Sequence, residues 1–310
     1  MNENVSQGLK TLLDVGLAPS FRGKVREMLD MGSELIMVAT DRISAFDAVL
    51  PTVIPDKGRI LTSISTYWLK GLGTIMPTHF MTADLEDLPE PLRRYEAILD
   101  GRWMLVRKAK PIPVECIVRG YLTGSGWREY EKNGTIGGIP LPSGLTNFGP
   151  LPEPIFTPST KSHEGHDVNI SLEQLRDEVG QDLARKLEYL SLELFRRAAS
   201  HAESCGLILA DTKFEFGWID NKIHLIDEAF TPDSSRWWPA ETVGTGHAPK
   251  SLDKEYVRRH LKSLPWSGEP PAPELAPDIV AETLERYRDV ERRLRESGDV
   301  PDLGQPLSAS

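Results

Sequence analysis

The stretch LILADTKFEFGWIDNKIHLIDEAFTPDSSRWW, residues 207 to 238, constrains this chain more than any other. It opens on an apolar run and then alternates, so that Asp211, Lys213 and Glu215 project from one face of a strand while Phe214 and Phe216 project from the other. A turn at Asp220, Asn221 and Lys222 returns the chain through IHLI to Asp227 and Glu228, which reads as a β-hairpin. A three-residue loop places Asp227 opposite Glu215, whereas a two-residue loop on Asn221-Lys222 places Glu228 there. In either register two carboxylates meet across neighbouring strands, which is unfavourable unless a cation lies between them. Oxygen ligands alone suggest magnesium, which commonly takes one or two carboxylates and fills its shell with water and substrate phosphates. The plain alternative is a solvated polar strand face with salt bridges to Lys213.

At 310 residues the length suggests about two domains with ample core. No apolar run approaches the ~20 residues of a membrane span, and MNENVSQGLK lacks the apolar segment of a signal peptide, so a cytoplasmic protein is expected. Cys116 and Cys205 have no partner at metal-ligand spacing and read as reduced thiols. A net charge of −10 argues against broad nucleic-acid binding, so any anionic ligand must be held by local cations.

Along the chain, SQGLKTLLDVGL reads as a short helix, and Phe21 to Leu29 with Ser33 to Ala39 as strands joined at Met31-Gly32. Gly23 and Lys24, in FRGKVRE, suit a loop over phosphates, although a lone Gly-Lys is more often an ordinary turn. In ATDRISAFD, Asp41 could cap a turn and Asp47 could be structural. RILTSISTYWLKGL has helical periodicity. Pro111 and Pro113 break regular structure, so 107 to 113 is expected to hinge a sheet domain, 1 to 110, to a larger part, 111 to 310. Beyond the hinge, Arg119, Thr123, Gly124 and Ser125 make either a phosphate pocket or a capped helix start. Residues 133 to 158 read as an ordered excursion. His163, His166 and Asp167 lie on no clear helix face, so a substrate loop with Lys161 as its cation is preferred to a transition-metal site. Residues 171 to 205 give amphipathic helices with Leu183, Leu187, Leu190, Leu194 and Ala198 along one stripe. SLDKEYVRRHLKSL and DIVAETLERYRDVERRLRES are further helices, and the tail after Gly298 reads as loose.

PIPVECIVRGYLTGS and LILADTKFEFG resemble the two signature stretches of the phosphoribosylaminoimidazole-succinocarboxamide synthase, or SAICAR synthetase, family. FRGKVRE, ATDRISAFD, FTPSTKSHEGHDVNIS and DEAFTPDSSRWW resemble further blocks in the same order, and the likeness runs from about residue 15 to about 265. The resemblance implies an α+β fold, a small antiparallel sheet domain hinged to a larger α+β domain, similar in plan to protein kinases. It implies a ligase that joins L-aspartate to carboxyaminoimidazole ribonucleotide, consuming ATP through an acyl phosphate, with no obligate protein partner. On that resemblance Glu215 and Asp227 would hold Mg2+, and Gly23 and Lys24 would cover the ATP phosphates. Lys213 would act with Asp211 and Lys24 at the reacting carboxylate. Arg107, Lys108, Lys110 and Glu115 would lie along the adenosine. Arg119, Ser125 and Arg236 would hold the 5′-phosphate, Asp233 would accept from the amino group, and Asp41, Lys161, His166 and Asn169 would complete the substrate contacts. A kinase-like phosphotransferase acting on a small phosphorylated metabolite is the competing reading, separated by a requirement for aspartate.

Overall fold

The computed structural model describes residues 8–160 and 169–307. The described part of SQGLKTLLDVGL forms only a 3-10 turn at Leu12–Val15, ended by Gly16 in the left-handed region at φ 78°. The buried Glu27 carboxylate takes the Thr11 hydroxyl at 2.9 Å and the Leu12 N–H at 2.7 Å, which fixes the start of this turn. The run expected as one strand from Phe21 is broken at its glycine. β1 (Phe21–Arg22) and β2 (Arg26–Asp30) form a hairpin with Gly23, Lys24 and Val25 at its tip. β3 (Glu34–Ala39) follows, then the small ribbon of β4 (Ser44–Ala45) and β5 (Ala48–Val49), and helix α1 (Lys57–Leu72). β6 (Phe80–Thr82), the short helix α2 (Glu96–Leu99) and β7 (Trp103–Arg107) complete an antiparallel sheet in the order β1-β2-β3-β7-β6.

The chain leaves this sheet through Lys108 and Ala109 into β8 (Lys110–Tyr121), a long strand that absorbs the prolines expected to break it. Pro111 and Pro113 sit in the first residues of β8, where a missing N–H is tolerated, and the ladder to its neighbour shifts register there. Next come α3 (Gly124–Asn133), the ribbon β9 (Thr135–Ile136) and β10 (Ile139–Pro140), β11 (Pro150–Phe156) and β12 (Ser159–Thr160). α4 (Leu172–Val179) and α5 (Gln181–Ser204) lead to β13 (Leu207–Ile219) and β14 (Lys222–Ile226). β15 (Ser235–Pro239), α6 (Glu255–Ser263) and α7 (Pro277–Glu296) follow. The second sheet has the order β11-β8-β13-β14, with β12 on β8 and β15 on β13, so the arrangement is α+β with antiparallel sheets.

β13 is the spine of this half because it pairs with β8, β14 and β15 along its length. Its alternation buries Phe214 and Phe216 under α5, whose inner stripe is Ala184, Leu187, Leu190, Leu194, Phe195 and Ala198. α1 joins the two sheets into one core. Met37, Met104 and Val106 of the first sheet meet it from one side, while Trp68 packs on Phe230 and Trp237 at centroid distances of 4.8 and 6.4 Å from the other. Burial of side chains this large stabilises the fold by about 1.5 to 3 kcal/mol each. The tail as far as Leu307 is not loose. Leu303 and Leu307 pack into the same core, Arg197 donates to the Leu303 carbonyl at 2.9 Å, and the Leu307 N–H donates to Ile75 at 2.9 Å.

Candidate active site

A cleft of about 520 Å³ opens between the two sheets. One wall is apolar, with Met28, Leu35, Met37 and Val106 from the first sheet facing Pro111 and Ile226 from the second. The other end carries Gly23, Lys24 and Arg26 above Glu115, Lys213, Glu215, Asp227 and Glu228.

The hairpin takes neither register expected of it. Its loop is Asp220-Asn221, both residues left-handed at φ 49° and 59°, which is the two-residue turn that Asp and Asn tolerate best. Ile219 therefore closes on Lys222, and Glu215 lies opposite Ile226 on one side and Glu115 on the other. The facing carboxylates across strands are Glu215 and Glu115. Asp227 reaches the group from just past the end of β14, where its own backbone turns left-handed at φ 65°. Lys213 stands among them, hydrogen-bonded to Glu215, 3.2 Å from Glu115 and 3.8 Å from Asp227. Arg26 clamps the neighbouring edge at 2.7 Å from both Asp227 and Glu228. Burial alone would lower the Lys213 and Arg26 basicities, but the surrounding carboxylates outweigh it and raise both. Burial, reinforced by Glu215 and Glu228, pushes Asp227 up to about 6 against the pull of Arg26 and Lys213. His79, held neutral by burial at about 4, places Nε2 3.2 Å from the Asp227 carbonyl.

The donor set at this end is all oxygen, which suits Mg2+. Among the described residues no group of three or more ligand side chains forms a finished metal cage. Glu215 and Asp227 are the pair of carboxylates that could hold such an ion, with phosphate oxygens and water completing its shell.

A second cavity of about 230 Å³ shares a wall with the cleft, since Lys213, Asp233, Ser234, Lys254 and Arg258 border both. Arg119, Ser125, Asp211 and Arg236 complete it. Asp211 pairs across β13 with both arginines, hydrogen-bonding Arg236 and lying 3.7 Å from Arg119, so its carboxylate aligns guanidinium groups and does not stand free for chemistry. Arg119 donates to Thr157 at 3.0 Å and to Ser125 at 3.4 Å. Gly124, at φ 59°, begins α3 against this group, and a Cβ there would come within 2.5 Å of an Arg236 nitrogen. Guanidiniums, a hydroxyl and a helix start together form a binding surface for a phosphate.

Several expected residues lie elsewhere. Asp41 is fully buried away from the cleft, its carboxylate taken by the N–H groups of Leu9 and Gly58 and by Arg102. Lys108 turns out to Asp30 at 2.5 Å, and Lys110 lines an outer groove beside Trp218. Only Arg107 of that basic run borders the cleft, paired with Asp220 at 2.5 Å. Glu115, expected at the ribose, joins the carboxylates around Lys213 and accepts from Ser159 at 3.3 Å. Lys24 borders the cleft and pairs with Asp47. Asn169 is exposed and bridges to Ser159, while Lys161, His163, His166 and Asp167 lie outside the described residues.

A family profile described as SAICAR synthetase matches residues 20–273. The chain belongs to the SAICAR synthetase family. A phosphoribosylaminoimidazole-succinocarboxamide synthase from Thermodesulfovibrio yellowstonii is 53% identical over 273 residues, covering 88% of this chain and 94% of that one. One from Desulfosudis oleivorans is 50% identical, covering 86% and 92%. The solved SAICAR synthase from Saccharomyces cerevisiae, complexed with SAICAR, superposes with a TM-score of 0.83 at 40% identity, covering 93% and 98%. SAICAR synthetases are ligases of purine biosynthesis, and this chain is such an enzyme. Among the described residues no helix is long and apolar enough to cross a membrane.

Sequence reasoning missed four cations of this SAICAR synthetase site, Arg26, Lys57, Lys254 and Arg258. Arg26 was legible, because it alternates with Lys24 toward one face of a strand, and so were Lys254 and Arg258, spaced four apart at a helix start. Nothing local marks Lys57, whose partner is 176 residues away.

Proposed function

We propose that the chain joins L-aspartate to carboxyaminoimidazole ribonucleotide, with ATP bound along the cleft and the ribonucleotide phosphate in the cationic cavity. The observation that carries this reading is that Lys213 borders both cavities, so the γ-phosphoryl end of a nucleotide in one meets the far end of a ribonucleotide in the other. The apolar wall takes the adenine. Lys24 at the hairpin tip and Arg26 below it face the phosphates, and Glu215 with Asp227 would hold Mg2+, which neutralises phosphate charge when bound. Arg119, Ser125 and Arg236 grip the 5′-phosphate, with Lys254 and Arg258 on the opposite rim.

A carboxylate is a poor acyl donor. In this reading a substrate carboxylate oxygen attacks the γ-phosphorus, ADP leaves, and the aspartate amine then attacks the acyl carbon, expelling inorganic phosphate and giving the amide. Lys213, kept charged by its carboxylates, lies where it can neutralise the reacting carboxylate, so the protein contributes position and charge. Lys161, His166 and Asn169 are assigned to aspartate. The same reading treats 1 to 110 and 111 to 310 as two hinged lobes of a cytoplasmic enzyme.

Oxygen-18 in the imidazole carboxylate tests the mechanism. One labelled oxygen should appear in the released phosphate for each amide formed. Label retained wholly in the amide would overturn the acyl phosphate, and ADP release over many turnovers without aspartate, giving a stable phosphorylated product, would favour a phosphotransferase.

A further inference from the structure

Among the described residues Asp233 is the one carboxylate that borders both cavities, and it is almost wholly enclosed, its side chain 2% exposed. One oxygen accepts from Lys57 at 2.7 Å and the other from the Tyr287 hydroxyl at 2.7 Å. Neither partner is exposed, and the Lys57 ammonium lies 5.8 Å from the centroid of the Tyr287 ring, so the three side chains form a closed unit. They come from the start of α1, the loop before β15 and the middle of α7.

The start of α1 is fixed with unusual closeness. Asp56 is left-handed at φ 67°, the Gly58 N–H donates to Asp41 at 2.8 Å, and a Cβ on Gly58 would stand 2.2 Å from the Ala39 carbonyl oxygen. Asp41 itself is held by Arg102 at 3.0 Å. That chain of contacts sets where Lys57 enters the second half of the molecule. Stability does not call for such a pair, since buried ion pairs rarely outperform apolar residues of the same volume. Burial alone would raise the Asp233 carboxyl, but the Lys57 and Lys254 charges and the two donors hold it well below the usual carboxylate range.

Building on the function proposed above, we propose that Lys57 and Tyr287 are positioning residues that hold Asp233 as a fixed acceptor for the amino group on the imidazole of the ribonucleotide. With one hydrogen bond already made at each oxygen, the carboxylate is held in one orientation, and a carboxylate without a proton can only accept. Such a site selects a donor at that ring position and leaves its own acceptor unmatched when the donor is missing. Specificity for an aminated ring would thus be set partly by Tyr287, which lies beyond the residues matched by the family profile.

The test compares two substrates, carboxyaminoimidazole ribonucleotide and the analogue that lacks the ring amino group, in the wild type and in Tyr287→Phe, which keeps the ring and removes one donor. The expected result is a KM for the aminated substrate raised about tenfold, equivalent to roughly 1.4 kcal/mol. KM for the analogue, for ATP and for aspartate should stay within about twofold, a pattern that a merely structural loss would not give. Equal change for both substrates, or none, overturns the proposal. Asp233→Asn, nearly isosteric, provides the second arm and should shrink the wild-type preference for the aminated substrate, while an unchanged preference overturns the proposal. A wild type that converts neither substrate would instead overturn the function on which the proposal rests.

Discussion

The two cavities share a wall but differ in charge. The cleft gathers Glu115, Glu215, Asp227 and Glu228 around Lys213 and Arg26, and over its whole lining Lys24, Arg107, Lys254 and Arg258 bring the cations level with the carboxylates, whereas Arg119, Lys213, Arg236, Lys254 and Arg258 outnumber Asp211, Asp233 and Asp253 in the smaller cavity. One cavity holds a local acidic cluster and the other a surplus of positive charge. In a chain of net charge −10 the concentration of cations at the second cavity is a local feature and not a property of the whole surface. On the function proposed above, the difference would let a nucleotide and a phosphorylated substrate, both anionic, be told apart: one would bring its own metal, and the other would meet guanidinium groups directly.

The largest expected effect breaks the acidic side. Asp227→Asn or Glu215→Gln should lower turnover by more than the ten- to hundredfold typical of a residue that only supports a metal ligand. The loss should be accompanied by a rightward shift in the magnesium titration, while circular dichroism stays native. An unchanged titration would remove both residues from the metal site. Because Glu228 lies against Arg26 and Thr231, Glu228→Gln should cost less than either.

Next in size is the basic side. Arg236→Ala should weaken ribonucleotide binding by about 1.5 to 3 kcal/mol, roughly ten- to a hundredfold, measured by calorimetry. ATP affinity should stay within about twofold, since Arg236 does not border the cleft. Equal losses for both ligands would mean that the cavities do not sort them as described.

The acidic side was the more legible of the two in the sequence. Alternation alone placed Asp211, Lys213 and Glu215 on one face, because a strand buried on its other face cannot slip by one residue. Register was misread, since Asp220 and Asn221 both entered the left-handed region and moved the closing pair to Ile219 and Lys222. Asp41 was misread for a different reason. An acidic residue after a strand looks the same whether its partners are ligand atoms or backbone N–H groups far along the chain. Lys57 and Tyr287 were invisible because their roles come from packing between elements. The tail from Gly298 to Leu307 looked loose for the same reason, its anchors being carbonyl and apolar contacts with α5 and with Ile75 just after α1.

The smallest effect sharpens the comparison through pH. Burial lowers the Lys254 amine to about 8, with Arg258 and Lys57 adding to the fall and Asp233 and Glu228 opposing it. A phosphate dianion prefers the charged amine, so the empty protein above pH 8 must take up a proton in order to bind. Ribonucleotide affinity should therefore be flat between about pH 6.5 and 7.5, where the phosphate is already a dianion, and fall by up to roughly tenfold by pH 9. ATP affinity should change less over the same range: Lys254 borders the cleft as well, but Lys213 and Arg26 there are raised by their carboxylates and stay charged. Lys254→Arg, which cannot lose its charge in this range, should flatten the ribonucleotide profile. A fall of equal size for both ligands, or one that persists in the arginine variant, would place the titrating group elsewhere and remove Lys254 from the phosphate-binding rim.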